Sequence, residues 1–138
     1  MNYLAFDYGK RFIGIAIGQS VTKTARPLTT IQNKNQNKKF GPDWASIQKL
    51  IIEWQPSALI IGIPLNMDGS EQWITQHARD FAKLLAEKFQ LPIHEIDERL
   101  STVEAKQALF DEGGYRSLGK EAIDAMAAKL ILETWLNS

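Results

Sequence analysis

The chain contains no cysteine, which removes disulfides, thiolate zinc sites and cysteine nucleophiles together. Histidine is almost as scarce: His77 and His94 are isolated from one another, one suited to a helix surface and one to a strand. No apolar run approaches the roughly 18 residues of a membrane span. The N-terminus lacks a basic segment followed by a long apolar stretch and a small-residue cleavage site. A soluble, cytoplasmic protein without a membrane partner is expected. The formal net charge is zero, which argues against a generally basic nucleic-acid binder.

The distribution of charge says more than its total. Residues 1–40 carry seven basic side chains (Lys10, Arg11, Lys23, Arg26, Lys34, Lys38, Lys39) against the single acid Asp7. Residues 41–138 carry nine basic and fifteen acidic ones. Such an asymmetry suits a basic face for a polyanion and an acidic site for cations. At 138 residues, one domain spanning 1–138 is expected, able to bury roughly two thirds of its unfolded surface.

The chain opens with two strand-like runs, Tyr3 to Gly9 and Phe12 to Gly18, joined through Gly9-Lys10-Arg11 as an antiparallel hairpin. Ala5 and Asp7 share one face of the first, Leu4 and Phe6 the other. A third strand over Ala25 to Ile31 contains Pro27, which favours a sheet edge. Gln32 to Lys39 reads as a polar surface loop. Gly41-Pro42-Asp43 begins a helix with Ile47, Leu50, Ile51 and Trp54 on one side. Ala58 to Ile63 is uninterruptedly apolar, as a central strand covered on both faces should be.

Beyond it lies a loop, Pro64 to Ser70, in which Asp68 or Ser70 is placed to cap a helix running to about Phe89. A strand over Ile93 to Glu98 follows. Ser101-Thr102-Val103-Glu104 fits a capping box for a further helix to Phe110, stopped by Gly113-Gly114. Tyr115 to Lys120 reads as a linker before an alanine-rich final helix, roughly Gly119 to Leu136. The order β-β-β-α-β-α-β-α-α predicts an α/β fold. Its mixed five-stranded sheet has three antiparallel strands, then parallel ones, with helices on both faces.

Sites in such sheets lie beyond the carboxyl ends of the parallel strands. Asp7 ends the first strand and Asp97-Glu98 the last. Asp124 lies above Ala127, Ala128 and Ile131 on the final helix. Only one of Asp97 and Glu98 can face Asp7, and spacing alone does not choose. Converging carboxylates without cysteine or a histidine pair favour hard cations such as Mg²⁺ or Mn²⁺. Two such ions about 4 Å apart suit phosphodiester hydrolysis. Glu121, three residues before Asp124, is a candidate outer ligand. Gly9, Gly14 and Gly18 are candidates for close approach of a phosphate backbone.

Five motifs in order resemble the YqgF, or RuvX-like, family of the ribonuclease-H-like superfamily. They are Leu4-Ala5-Phe6-Asp7-Tyr8-Gly9, Thr24-Ala25-Arg26-Pro27-Leu28, Gly62-Ile63-Pro64-Leu65-Asn66-Met67-Asp68-Gly69, Asp97-Glu98-Arg99-Leu100-Ser101-Thr102 and Ile123-Asp124-Ala125-Met126-Ala127-Ala128. The resemblance implies a ribonuclease-H-like fold and a metal-dependent nuclease. It points to maturation of the 5′ end of precursor 16S ribosomal RNA, or to Holliday junction cleavage. It also selects Asp7, Glu98 and Asp124 as the catalytic and metal-binding acids. Related junction resolvases carry a further acid on the central strand, where this chain has apolar residues and Gly62.

On this reading Asp7 bridges two cations, and Glu98 and Asp124 each hold one. Lys10, Arg11 and Arg26 contact phosphates; Gly9 and Asn66 border the substrate; Arg99 pairs with a phosphate or with Asp97. The expected partners are nucleic acid, precursor rRNA above branched DNA, and a pre-ribosomal particle. A non-catalytic nucleic-acid-binding or ribosome-assembly factor and an actin-like ATPase are the alternatives from other classes.

Overall fold

The computed structural model describes residues 1–34, 41–100 and 115–138. Its strands are β1 (Asn2–Tyr8), β2 (Phe12–Gln19), β3 (Thr24–Lys34), β4 (Gly41–Pro42), β5 (Ala58–Ile63) and β6 (Ile93–Asp97). The helices are α1 (Trp44–Trp54), α2 (Trp73–Phe89) and α3 (Tyr115–Leu136), with a 3-10 turn at Glu98–Leu100.

The sheet order is β4-β3-β2-β1-β5-β6. β1 to β4 pair antiparallel in sequence, whereas β5 lies parallel to β1 and β6 parallel to β5. The sheet therefore has six strands rather than the predicted five. The extra one is short: Gly41 and Pro42 pair with Lys34 and Asn33. β3 accordingly runs to Lys34, through the start of the expected loop. Pro27 sits on an open edge, as expected, because β4 reaches only the far end of β3. Opposite it the ladder slips between Ile15 and Ala16, and Leu28 is left unpaired.

Alternation divides the core into two layers. Leu4, Phe6, Tyr8, Ile13, Ile15, Leu59 and Ile61 pack beneath α1 and α2, where Phe6 and Tyr8 meet Phe81 edge-on or tilted. Ala5, Ala16, Ile60 and Ile96 pack beneath α3, against Ala128, Ile131 and Leu132. Burying each such leucine, isoleucine or phenylalanine stabilises by about 1.5–3 kcal/mol. All six residues of β5 are buried, as its unbroken apolar run requires of a strand covered on both faces.

Helix ends follow local chemistry. Asp43 caps α1, accepting from the Ser46 amide at 3.2 Å and from its hydroxyl at 2.7 Å. α2 departs from expectation: its cap is Gln72, while Asp68 instead accepts from the Ser70 amide and hydroxyl inside the preceding turn. α3 begins at Tyr115, so the expected linker over Tyr115 to Lys120 is helical. The capping box at Ser101–Glu104, its helix and Gly113-Gly114 lie outside the described residues, as does the side chain of Glu121.

Candidate active site

β1, β5 and β6 run parallel, so their carboxyl ends share one edge of the sheet. Asp7 lies at that edge, on the α3 face with Ala5. Its neighbours on both sides are glycines. Gly14 of β2 pairs with it directly. Phe6 pairs with Ile61, which puts Gly62 of β5 beside Asp7.

Each glycine admits another acid. A Cβ on Gly14 would overlap the Asp124 carbonyl and lie 2.7 Å from the Ala125 amide nitrogen, so α3 rests its backbone on the strand there. A Cβ on Gly62 would lie 2.6 Å from Glu98 Oε1 and 2.5 Å from Ile131 Cδ1. Glu98 therefore fills the space that a central-strand side chain would otherwise occupy. Gly62 pairs with Ile96, and two residues on, Glu98 regains the same face from the 3-10 turn that ends β6. Of the two acids that spacing left open, Glu98 is the one directed to Asp7. Gly14 and Gly18, read as room for a phosphate backbone, instead make room for α3 and, at Gly18, for Leu132 and Thr24.

Burial pushes the Asp7 carboxyl well above the ordinary aspartate range, and the charge of Glu98, a hydrogen bond to it and the charge of Asp124 push it further. The residue as a whole is half-buried; the carboxyl is the enclosed part, which is why desolvation dominates. A carboxyl this close to a second one ionises less readily, because the two negative charges repel. Among the described residues, no three acidic or histidine side chains enclose a cation as they stand. The donor set nevertheless fits a hard cation. It is all carboxylate oxygen, the donor type that Mg²⁺ and Mn²⁺ prefer.

The remaining candidates are dispersed. Lys10 and Arg11 are exposed on the β1–β2 tip beside the acids. Gly9 in that tip gives its carbonyl to Asn33 Nδ2 at 2.8 Å. Asn66 is exposed and holds its own loop, its amide donating to the Ser70 carbonyl at 2.9 Å and its Nδ2 to Ser70 Oγ at 3.0 Å. Arg26 is not brought to the site: it pairs with Ile17, near Leu4, about 10 Å back along the strands from Asp7 and two strands across. There it covers the Trp54 ring at 5.4 Å.

Arg99 grips Asp97, with Nη2 to Oδ2 at 2.6 Å and Nε to both oxygens at 3.0 and 3.1 Å. Its Nη1 donates to the Met67 carbonyl at 3.3 Å. These bonds hold Asp97 below the usual carboxylate range. Arg99 thus ties the loop after β5 to the end of β6.

Sequence reasoning missed Asn33, Thr75 and Trp73. Asn33 is buried, and its amide donates to the Arg11 carbonyl at 2.7 Å, fastening the basic tip to β3. Nothing separated it from the other polar residues of its run. Thr75 is buried, accepts from the Gln72 amide at 2.8 Å and donates to the Pro64 carbonyl, pinning the start of α2 to the end of β5.

The three-layer architecture is the ribonuclease-H-like fold of Holliday junction resolvases. It superposes on Thermus thermophilus RuvC bound to a Holliday junction substrate with a TM-score of 0.62 at 12% identity, over 97% of this chain and 91% of the other. The fowlpox virus Holliday junction resolvase gives 0.59 at 10% identity, over 99% and 98%. The chain belongs to the RuvX family, described as Holliday junction resolvase, whose model matches residues 1–138. A Haemophilus ducreyi relative named "Putative pre-16S rRNA nuclease" is 51% identical over 98% of this chain and 95% of its own length. A Cronobacter sakazakii relative with the same name is 53% identical over 96% and 93%.

Proposed function

We propose that this chain is a divalent-metal-dependent nuclease that hydrolyses phosphodiester bonds while the 5′ end of precursor 16S ribosomal RNA is matured. The observation that carries the chemistry is the Asp7–Glu98 carboxyl pair, with Asp124 adding its charge, at the carboxyl edge of the sheet. The rRNA substrate rests on the names of the relatives.

Asp7, Glu98 and Asp124 are the residues that would hold Mg²⁺ or Mn²⁺, with Asp7 central among them. When bound, the metal pair supplies Lewis acidity and an activated water. The protein holds the acids in place by backbone packing, through the gaps at Gly14 and Gly62. Lys10 and Arg11 hold phosphates from the hairpin tip, with Gly9 and Asn66 bordering the strand. Arg26 has no part in this arrangement, and Arg99 acts on the loop. A pre-ribosomal particle in the cytoplasm is the natural setting for such a substrate.

A second reading, cleavage of four-way DNA, draws on the family description and the RuvC-like fold. The test is cleavage of end-labelled 5′-extended precursor 16S RNA, single-stranded RNA and a four-way DNA junction with Mn²⁺ or Mg²⁺. Cutting of the precursor alone, lost in Asp7→Asn, supports the rRNA reading; cutting confined to the junction transfers it to the resolvase. Binding without turnover, unaffected by Asp7→Asn, identifies a non-catalytic assembly factor.

A further inference from the structure

Trp73 is the first residue of α2 and is 65% exposed. A large aromatic ring in water gives up the free energy of burying its area unless something covers it. Two groups attend this ring without closing it. Lys10 Nζ lies over it at 5.6 Å from the centroid, and the His77 ring, one turn along the helix, is tilted against it at 4.7 Å.

The start of the helix that carries the ring is fixed. Thr75 fastens this end of the helix to the Pro64 carbonyl, two residues beyond Gly62. Lys10 connects it to the hairpin tip, three residues beyond Asp7. Trp73 therefore stands at the same sheet edge as the acids, on the α1/α2 side, with the basic tip between them. The nearby acid Glu71 is already paired with Arg79.

From this juxtaposition we infer that Trp73 is a stacking platform for an unpaired nucleobase of the strand whose backbone passes the acids. The inference rests on the nuclease reading above. The base takes the ring face now covered by Lys10, and the ammonium moves to a phosphate of the same strand. Stacking on tryptophan is tolerant of sequence, and a base held in a duplex does not offer its face. The platform thus selects single-stranded character near the cut rather than a particular base.

The experiment uses the full chain in chelator, so that nothing is cut. Binding is measured by anisotropy to a labelled single-stranded RNA, the same sequence as single-stranded DNA, and a blunt RNA duplex. Trp73→Ala should weaken single-strand binding about tenfold, Trp73→Phe should restore most of it, and duplex binding should be unchanged. The RNA and DNA arms show which strand the platform serves. Equal loss on the duplex, or no loss on either single strand, overturns the inference and leaves the nuclease reading standing. A wild-type chain that binds none of the three overturns both. Because Trp73 is mostly exposed, the alanine variant should melt within a few degrees of wild type.

Discussion

Asp7 is an acid whose charged form the metal-free fold disfavours. Its folded pKa is raised by burial and by Glu98 and Asp124. The stability it contributes is therefore complete below its unfolded value and is lost as pH rises through the raised one. Asp7→Asn should make the metal-free protein about 1–2 kcal/mol more stable at pH 7, flatten that pH dependence and abolish cleavage. Thermal melts from pH 4 to pH 8 and the cleavage assay check the three together. This acid was legible in the sequence because a carboxylate in an apolar run needs a reason. Trp73 was not, since one aromatic in a polar stretch looks like any residue at a helix start until its exposure is seen.

Two elements approach β1 only because glycines let them. Gly14→Ala sets a methyl against the backbone of α3, which no rotamer change relieves, and should cost about 3 kcal/mol or more. Gly62→Ala meets the movable ends of Glu98 and Ile131. It should cost less, about 1–2 kcal/mol, yet reduce cleavage strongly by displacing Glu98. Denaturant melts beside activity separate the two. The loop from Pro64 to Gln72 depends on Arg99 in a different way. Arg99→Ala should leave the melting temperature nearly unchanged, because its pair with Asp97 is part-exposed. Hydrogen exchange at the Asn66 and Gly69 amides should become faster. Asp97 keeps its share of this clamp above the usual carboxylate pKa and loses it as pH falls through the lowered value. Among the described residues, strand and helix existence was readable from periodicity; the two-residue β4 and the Gln72 cap were not. β4 exists only by pairing with β3, and Asp68 was drawn instead into its own turn with Ser70.

For the molecule as a whole, zero net charge conceals a basic N-terminal segment whose lysines and arginines are unequally placed. Lys10 and Arg11 are at the active edge, whereas Arg26 faces Trp54 far from it. Lys10→Ala with Arg11→Ala should lower the slope of log binding constant against log salt for single-stranded RNA by about 1.4. Arg26→Ala should leave the slope unchanged. Titrations at several salt concentrations decide it. The fold class was legible from element order, Asp7 from its place at a strand end and Asp124 from its place on the final helix; only the family resemblance chose Glu98 over Asp97. The place of Arg26 was not legible, because the turn between Gln19 and Thr24 sets the register that pairs Arg26 with Ile17, and composition does not record it.

The strand order also sets a sequence in time. β1, β2 and β3 join through short hairpins, so their contacts are local and close early; β5 and β6 must travel through crossovers to pair in parallel. That order would put Asp7 in place before Glu98 and Asp124 reach it, so that the repulsion among them would be met only once the apolar frame exists. Relieving it with Asp7→Asn should therefore slow unfolding and leave the refolding rate almost unaltered. The two arms of a stopped-flow denaturant series would display this directly. The acids proposed to act on the substrate would then set the lifetime of the metal-free fold rather than its speed of formation.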